Sequence, residues 1–171
     1  MKLRIAGIER HSSVNGPGVR YVLFTQGCLH YCKGCQNPST WPMDQGKEVT
    51  AEDIIHDILS TKYIDGVTLS GGDPLYQAKA MVEIAKALKE KNINLWCYTG
   101  FLYEEVLSGI PSKEAKELLS YIDVLIDGPF IQSLYSENCL YRGSTNQRLI
   151  DVKESLATGK IVLATSFDYG L

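Results

Sequence analysis

A chain of 171 residues has room for one folded domain, expected here to span residues 1–171, with a core large enough to stand without disulfide staples. A net charge of −3 argues against a broad basic surface for nucleic acid. No apolar run approaches the ~20 residues of a membrane span, and the Met1–Gly7 start lacks the apolar stretch of a signal peptide, so a cytoplasmic location away from membranes is expected.

In chain order, Arg4–Ile8 and Tyr21–Thr25 read as strands, parted by the turn signal Asn15-Gly16-Pro17-Gly18. Thr50 reads as a helix N-cap with Asp53 three residues on, ahead of an apolar stripe at Ile54, Ile55, Ile58 and Leu59. Gly66–Ser70 is a buried strand that ends in Gly71-Gly72-Asp73-Pro74. Helical spacing returns over Ala78–Lys91 through Met81, Ile84, Ala85 and Leu88. A strand at Leu95–Thr99 follows, then helical segments at Tyr103–Leu107 and Lys113–Leu119, a strand at Val124–Ile126 and a last strand at Lys160–Thr165. Alternating strands and helices predict an α/β fold of parallel β/α units. The chain is too short for an eight-unit barrel of about 250 residues, so a partial, open (β/α) barrel is expected, with ligands at the C-terminal ends of its strands.

Five cysteines suit no secreted disulfide framework, and three of them, Cys28, Cys32 and Cys35, crowd into one loop after the second strand. Thiolates at this spacing can converge on a single metal centre. Three ligands are one fewer than usually hold an iron–sulfur cluster, which would leave one iron open to a substrate. Structural zinc is the competing reading, with His30 or His11 as fourth ligand. Gly71 and Gly72, at the end of the next strand, let backbone approach a ligand closely. Cys97 and Cys139 read as small buried residues.

These motifs resemble the radical-SAM superfamily and, within it, the activating proteins of anaerobic ribonucleoside-triphosphate reductases. The resemblance is carried by Asn15–Arg20, Gln26-Gly27-Cys28, Cys35-Gln36-Asn37-Pro38, Trp41, Gly71–Pro74, Tyr98-Thr99-Gly100, Ile126–Phe130 and Arg142–Arg148. It implies that Cys28, Cys32 and Cys35 hold a four-iron four-sulfur cluster whose fourth iron is chelated by S-adenosylmethionine. Gly71, Gly72 and Asp73 would receive the methionine amino group, and backbone around Gly34, Cys35 and Gln36 the adenine edge. Asp127 would contact the ribose or a cation, or else cap a turn. Arg142 and Arg148 would face either the partner or the cofactor carboxylate. The implied activity is reductive cleavage of S-adenosylmethionine to a 5′-deoxyadenosyl radical, which takes hydrogen from a glycine Cα of the large reductase chain. Reduced flavodoxin or ferredoxin would supply the electron. Rival readings are an activase of the pyruvate formate-lyase type, a small radical-SAM tailoring enzyme and a non-catalytic zinc module.

Overall fold

A computed structural model describes residues 1–165. Its strands are β1 (Lys2–Ser12), β2 (Arg20–Thr25), β3 (Lys47–Thr50), β4 (Gly66–Gly71), β5 (Asn94–Tyr98), β6 (Val124–Asp127) and β7 (Arg148–Asp151). The helices are α1 (Ala51–Ser60), α2 (Ala78–Glu90), α3 (Tyr103–Leu107), α4 (Lys113–Leu119) and α5 (Val152–Thr158). Thr50 caps α1 as expected, its hydroxyl accepting from the Asp53 amide at 3.1 Å. Ser112 and Asp151 do the same for α4 and α5.

The seven strands form one open sheet in the order β3-β1-β2-β4-β5-β6-β7. The pairs β2–β4, β4–β5 and β5–β6 are parallel, while β1 pairs antiparallel with both β2 and β3, and β7 antiparallel with β6. The parallel units are therefore confined to the centre. The reason lies in the connections, because β1 reaches β2 through the Asn15–Gly18 turn with no crossover helix, and so short a link can only reverse the chain.

The last strand expected at Lys160–Thr165 is not formed. Leu163 makes a single bridge to Ile150, and the strand at that edge is β7. The run from Ile161 is extended without being a strand: Val162 O accepts from the Asp151 amide and Ala164 N donates to Leu149 O, both at 2.8 Å.

Strand alternation divides the sheet into two unlike faces. Leu23, Leu69, Leu95, Cys97 and Leu125 point to one side, where α1, α2 and α4 cover them with Ile54, Ile58, Met81, Ile84, Leu88 and Leu118. Between them, Trp96 and Ile126 point to the other side, with Tyr98 and Tyr141 packed against them. This second face also carries Arg20, which is 1% exposed. Its guanidinium donates to Thr68 Oγ1 and Asn94 Oδ1 at 2.8 Å and to Val67 O at 2.9 Å, and lies over the Trp96 ring. Burial pushes its pKa down to about 10. Thr68 in turn donates to Asn15 O at 2.7 Å, so the buried arginine pins the turn that precedes it.

Candidate metal and cofactor site

The base of the cysteine loop is bound by backbone. Gly27 N donates to Thr40 O at 2.7 Å and Cys28 N to Trp41 O at 3.1 Å, across a 3-10 turn at Pro38–Thr40. Gln26 braces the same base through Nε2, which donates to Ser39 O and Pro42 O. Beyond it the chain turns sharply, with Tyr31 and Gly34 at positive φ, and Cys35 N donates to Cys32 O at 3.1 Å. All three thiols are free; Cys28 is buried, and Cys32 and Cys35 are half-buried. Burial pushes the Cys28 thiol up to about 11 and raises Cys32 as well, so metal uptake here displaces protons.

Facing this loop is the turn after β4. Gly72 N donates to Thr25 O at 2.8 Å and Asp73 N to Gly27 O at 2.9 Å, which bolts the turn to the end of β2. Gly71 has φ +102, and a Cβ there would stand 2.2 Å from Thr25 N. A Cβ on Gly72 would stand 2.4 Å from Gly27 O and 2.9 Å from Thr40 O. The approach these glycines allow on their Cβ side is thus to the end of β2 at Gly71 and to the base of the cysteine loop at Gly72, a purpose the sequence did not distinguish from ligand contact.

Loop and turn line one cavity of about 470 Å³ on the face opposite α1, α2 and α4. Cys28, Cys32, Cys35, Gln36, Gly71 and Gly72 are on its surface, as are Tyr98 and Thr99 from the end of β5. Three other residues named from the sequence are elsewhere. Gly34 is off the cavity surface, where a Cβ would press on the Gln132 side chain at 2.9 Å. Asp73 is buried with its carboxylate engaged by four donors. Asp127 is buried too, accepting from Tyr103 N at 2.8 Å at the start of α3 and from Arg148 Nε at 3.0 Å, so its carboxylate caps a turn instead of facing a ligand.

That ion pair, with Glu104, also uses up Arg148. Arg142 is different. It lines the cavity, and its Nε is buried with no hydrogen-bond partner among the described residues. Such an orphaned buried donor leaves room for an acceptor from a ligand or from water. Cys139, read from the sequence as a buried filler, is half-buried and lines the same cavity. Both belong to the irregular segment between β6 and β7, which has no period to reveal its position. Cys97 faces the helices and is completely buried, which raises its thiol pKa.

The residues fit a cluster that carries a chelating ligand: three free thiols on one loop, glycine backbone opposite, and an unpaired guanidinium nitrogen beside them. Among the described residues no three His, Cys, Asp or Glu side chains are gathered tightly enough to hold a metal ion, so the loop has to draw its thiols together to ligate one. Neither histidine is disposed to complete a zinc site. His30 Nε2 lies 2.7 Å from Asp73 Oδ2, and the exposed His11 has Nε2 2.8 Å from Lys62 O.

No helix among the described residues is long and apolar enough to cross a membrane. The family model described as a 4Fe-4S single cluster domain matches residues 14–150. The anaerobic ribonucleoside-triphosphate reductase-activating protein of Enterobacteria phage T4 is 43% identical over 144 residues, covering 80% of this chain and 86% of that one. The protein of the same name from Vibrio cholerae is 40% identical over 142 residues, covering 78% and 88%. A crystal structure of QueE from Escherichia coli superposes with a TM-score of 0.47 at 16% identity, over 58% of this chain and 53% of that one, a likeness too slight to bear on fold or function. With a 4Fe-4S cluster domain over most of its length and relatives this similar across four-fifths of it, the chain belongs to the family of anaerobic ribonucleoside-triphosphate reductase-activating proteins.

Proposed function

We propose that this protein activates an anaerobic ribonucleoside-triphosphate reductase by placing a glycyl radical on it, and that its sheet is a partial barrel of the radical-SAM type. The observation that carries the reading is the single cavity lined by the three cysteines, the two glycines and Arg142, whose buried Nε has no partner among the described residues. Cys28, Cys32 and Cys35 would hold a four-iron four-sulfur cluster, leaving one iron without a thiolate. Such a cluster, with S-adenosylmethionine and one electron from reduced flavodoxin or ferredoxin, would supply the chemistry that cleaves the S–C5′ bond to methionine and a 5′-deoxyadenosyl radical.

The chain's own residues bind and orient. Backbone of the Gly71–Gly72 turn presents acceptors to the methionine amino group, and the Arg142 guanidinium donates to its carboxylate in a charge-assisted bond. Cys35 and Gln36 border the space left for the nucleoside. Tyr98 and Phe130 give that space apolar sides, which shields a carbon radical from solvent. The hydrogen is taken from a glycine Cα of the reductase, leaving 5′-deoxyadenosine and a glycyl radical.

Anaerobic reconstitution tests this reading. The expected result is about four iron and four sulfide per chain, with 5′-deoxyadenosine formed when S-adenosylmethionine, a reductant and the reductase are added. Protein that binds zinc without sulfide, or that forms no 5′-deoxyadenosine, contradicts it.

A further inference from the structure

His30 stands between two of the three thiols, yet its ring is turned to the opposite side of the cavity. Its Nε2 lies 2.7 Å from Asp73 Oδ2. The ring meets Phe101 edge-on at 4.6 Å and Tyr76 at 5.6 Å between centroids. Asp73 is 1% exposed. Its Oδ2 also accepts from Thr99 Oγ1 and Gly100 N at 2.9 Å, and its Oδ1 from Leu75 N at 3.0 Å. One buried carboxylate therefore joins the ends of β4 and β5 to the cysteine loop, with every donor aimed at it. Gly100 belongs to the same arrangement, since a Cβ there would stand 2.6 Å from His30 Cδ2. Glycine leaves the room that the ring occupies.

We infer that His30 is a positioning residue: a strut that fixes how far the cysteine loop stands from the Gly71–Gly72 turn, and so sets the spacing between cluster and methionine moiety. The inference rests on the reading proposed above. His30 does not ligate and exchanges no proton in this role. It holds the thiol-bearing loop against a carboxylate that is itself locked to two strand ends. The three thiols are enough to assemble a cluster, but a chelating ligand must bond to one iron and to the opposite backbone at once, which only one spacing allows.

The test separates assembly from cofactor binding. His30→Ala, reconstituted anaerobically, is expected to take up iron and sulfide as the parent does. Its affinity for S-adenosylmethionine, read from the change in the paramagnetic resonance spectrum of the reduced cluster, should fall about 10- to 100-fold. His30→Gln, which keeps a donor directed at Asp73, should recover most of that loss. Cys97→Ala, on the helix-covered face, serves as a control that disturbs packing without moving the titration. If His30→Ala binds S-adenosylmethionine as tightly as the parent, the strut is wrong. Should His30→Ala take up no iron, Gly100→Ala displaces the ring instead, and parental affinity in that variant overturns the inference. If the parent's own spectrum does not respond to S-adenosylmethionine, the proposed function falls and the inference with it.

Discussion

The two sides of the cavity are built in opposite ways. On the turn side, Asp73 and Leu75 are buried, the carboxylate has four donors, and both glycines touch backbone where any Cβ would collide. The cysteine loop is held at its base and, beyond it, through His30 on Asp73; it has two half-buried thiols and exposes Leu29 and Tyr31 to solvent. The turn is held by contacts within the fold, whereas the loop keeps three free thiols. Changes on the turn side should therefore cost stability first, and changes at the thiols should cost iron first.

The largest effect is expected at the thiols. Cys28→Ala, Cys32→Ala or Cys35→Ala should abolish cluster assembly, because each leaves an iron without its thiolate. For half-buried Cys32 and Cys35 the stability of the iron-free chain should change by no more than about 0.5 kcal/mol. Cys97→Ala should do the reverse, costing about 1 kcal/mol through a buried cavity while iron content stays at the parental value. Iron analysis and urea denaturation check both halves. Loss of the cluster in Cys97→Ala would break the distinction.

Next comes the turn. Gly72→Val forces a branched side chain into Gly27 O and Thr40 O, so it should destabilise the chain by about 3 kcal/mol and lose iron as the base of the loop shifts. A variant as stable as the parent, with only its affinity for S-adenosylmethionine reduced, would mean that the turn yields and that the contact lies with the ligand.

Arg142 should give the smallest effect on the chain itself. Its Nε has no acceptor among the described residues, so Arg142→Met should leave stability within about 0.5 kcal/mol of the parent. Affinity for S-adenosylmethionine should drop about tenfold, the value of one charge-assisted hydrogen bond of ~1.5 kcal/mol. Resonance titration of the reduced cluster measures it, and unchanged affinity would remove Arg142 from the site.

Much of this was legible in the sequence, for identifiable reasons. The central strands and α1, α2, α3 and α4 announce themselves by apolar period and by caps such as Thr50, and their bounds fall within one or two residues of expectation. The edges did not. Lys47–Thr50 has one large apolar residue, and β7 is four residues long, so neither carries a period. The apolar run from Ile161 imitated a strand but meets the sheet through one bridge. The cysteine loop and the glycine turn were plain as motifs. What the sequence could not convey was that Asp73 looks inward to His30, or that Arg142 and Cys139 reach the cavity from a segment more than a hundred residues beyond the cysteine loop. Those placements come from tertiary packing, which leaves no local signature.

The central claim is that the cavity delivers a radical to a glycine of a protein partner. The most direct measurement uses the anaerobic reductase labelled with deuterium at glycine Cα, activated with this protein, S-adenosylmethionine and a reductant, followed by mass analysis of the 5′-deoxyadenosine. Deuterium should appear in that product in step with a glycyl radical signal. If no label transfers while a small metabolite is consumed in matching amount, the protein is a tailoring enzyme and the proposed function is contradicted.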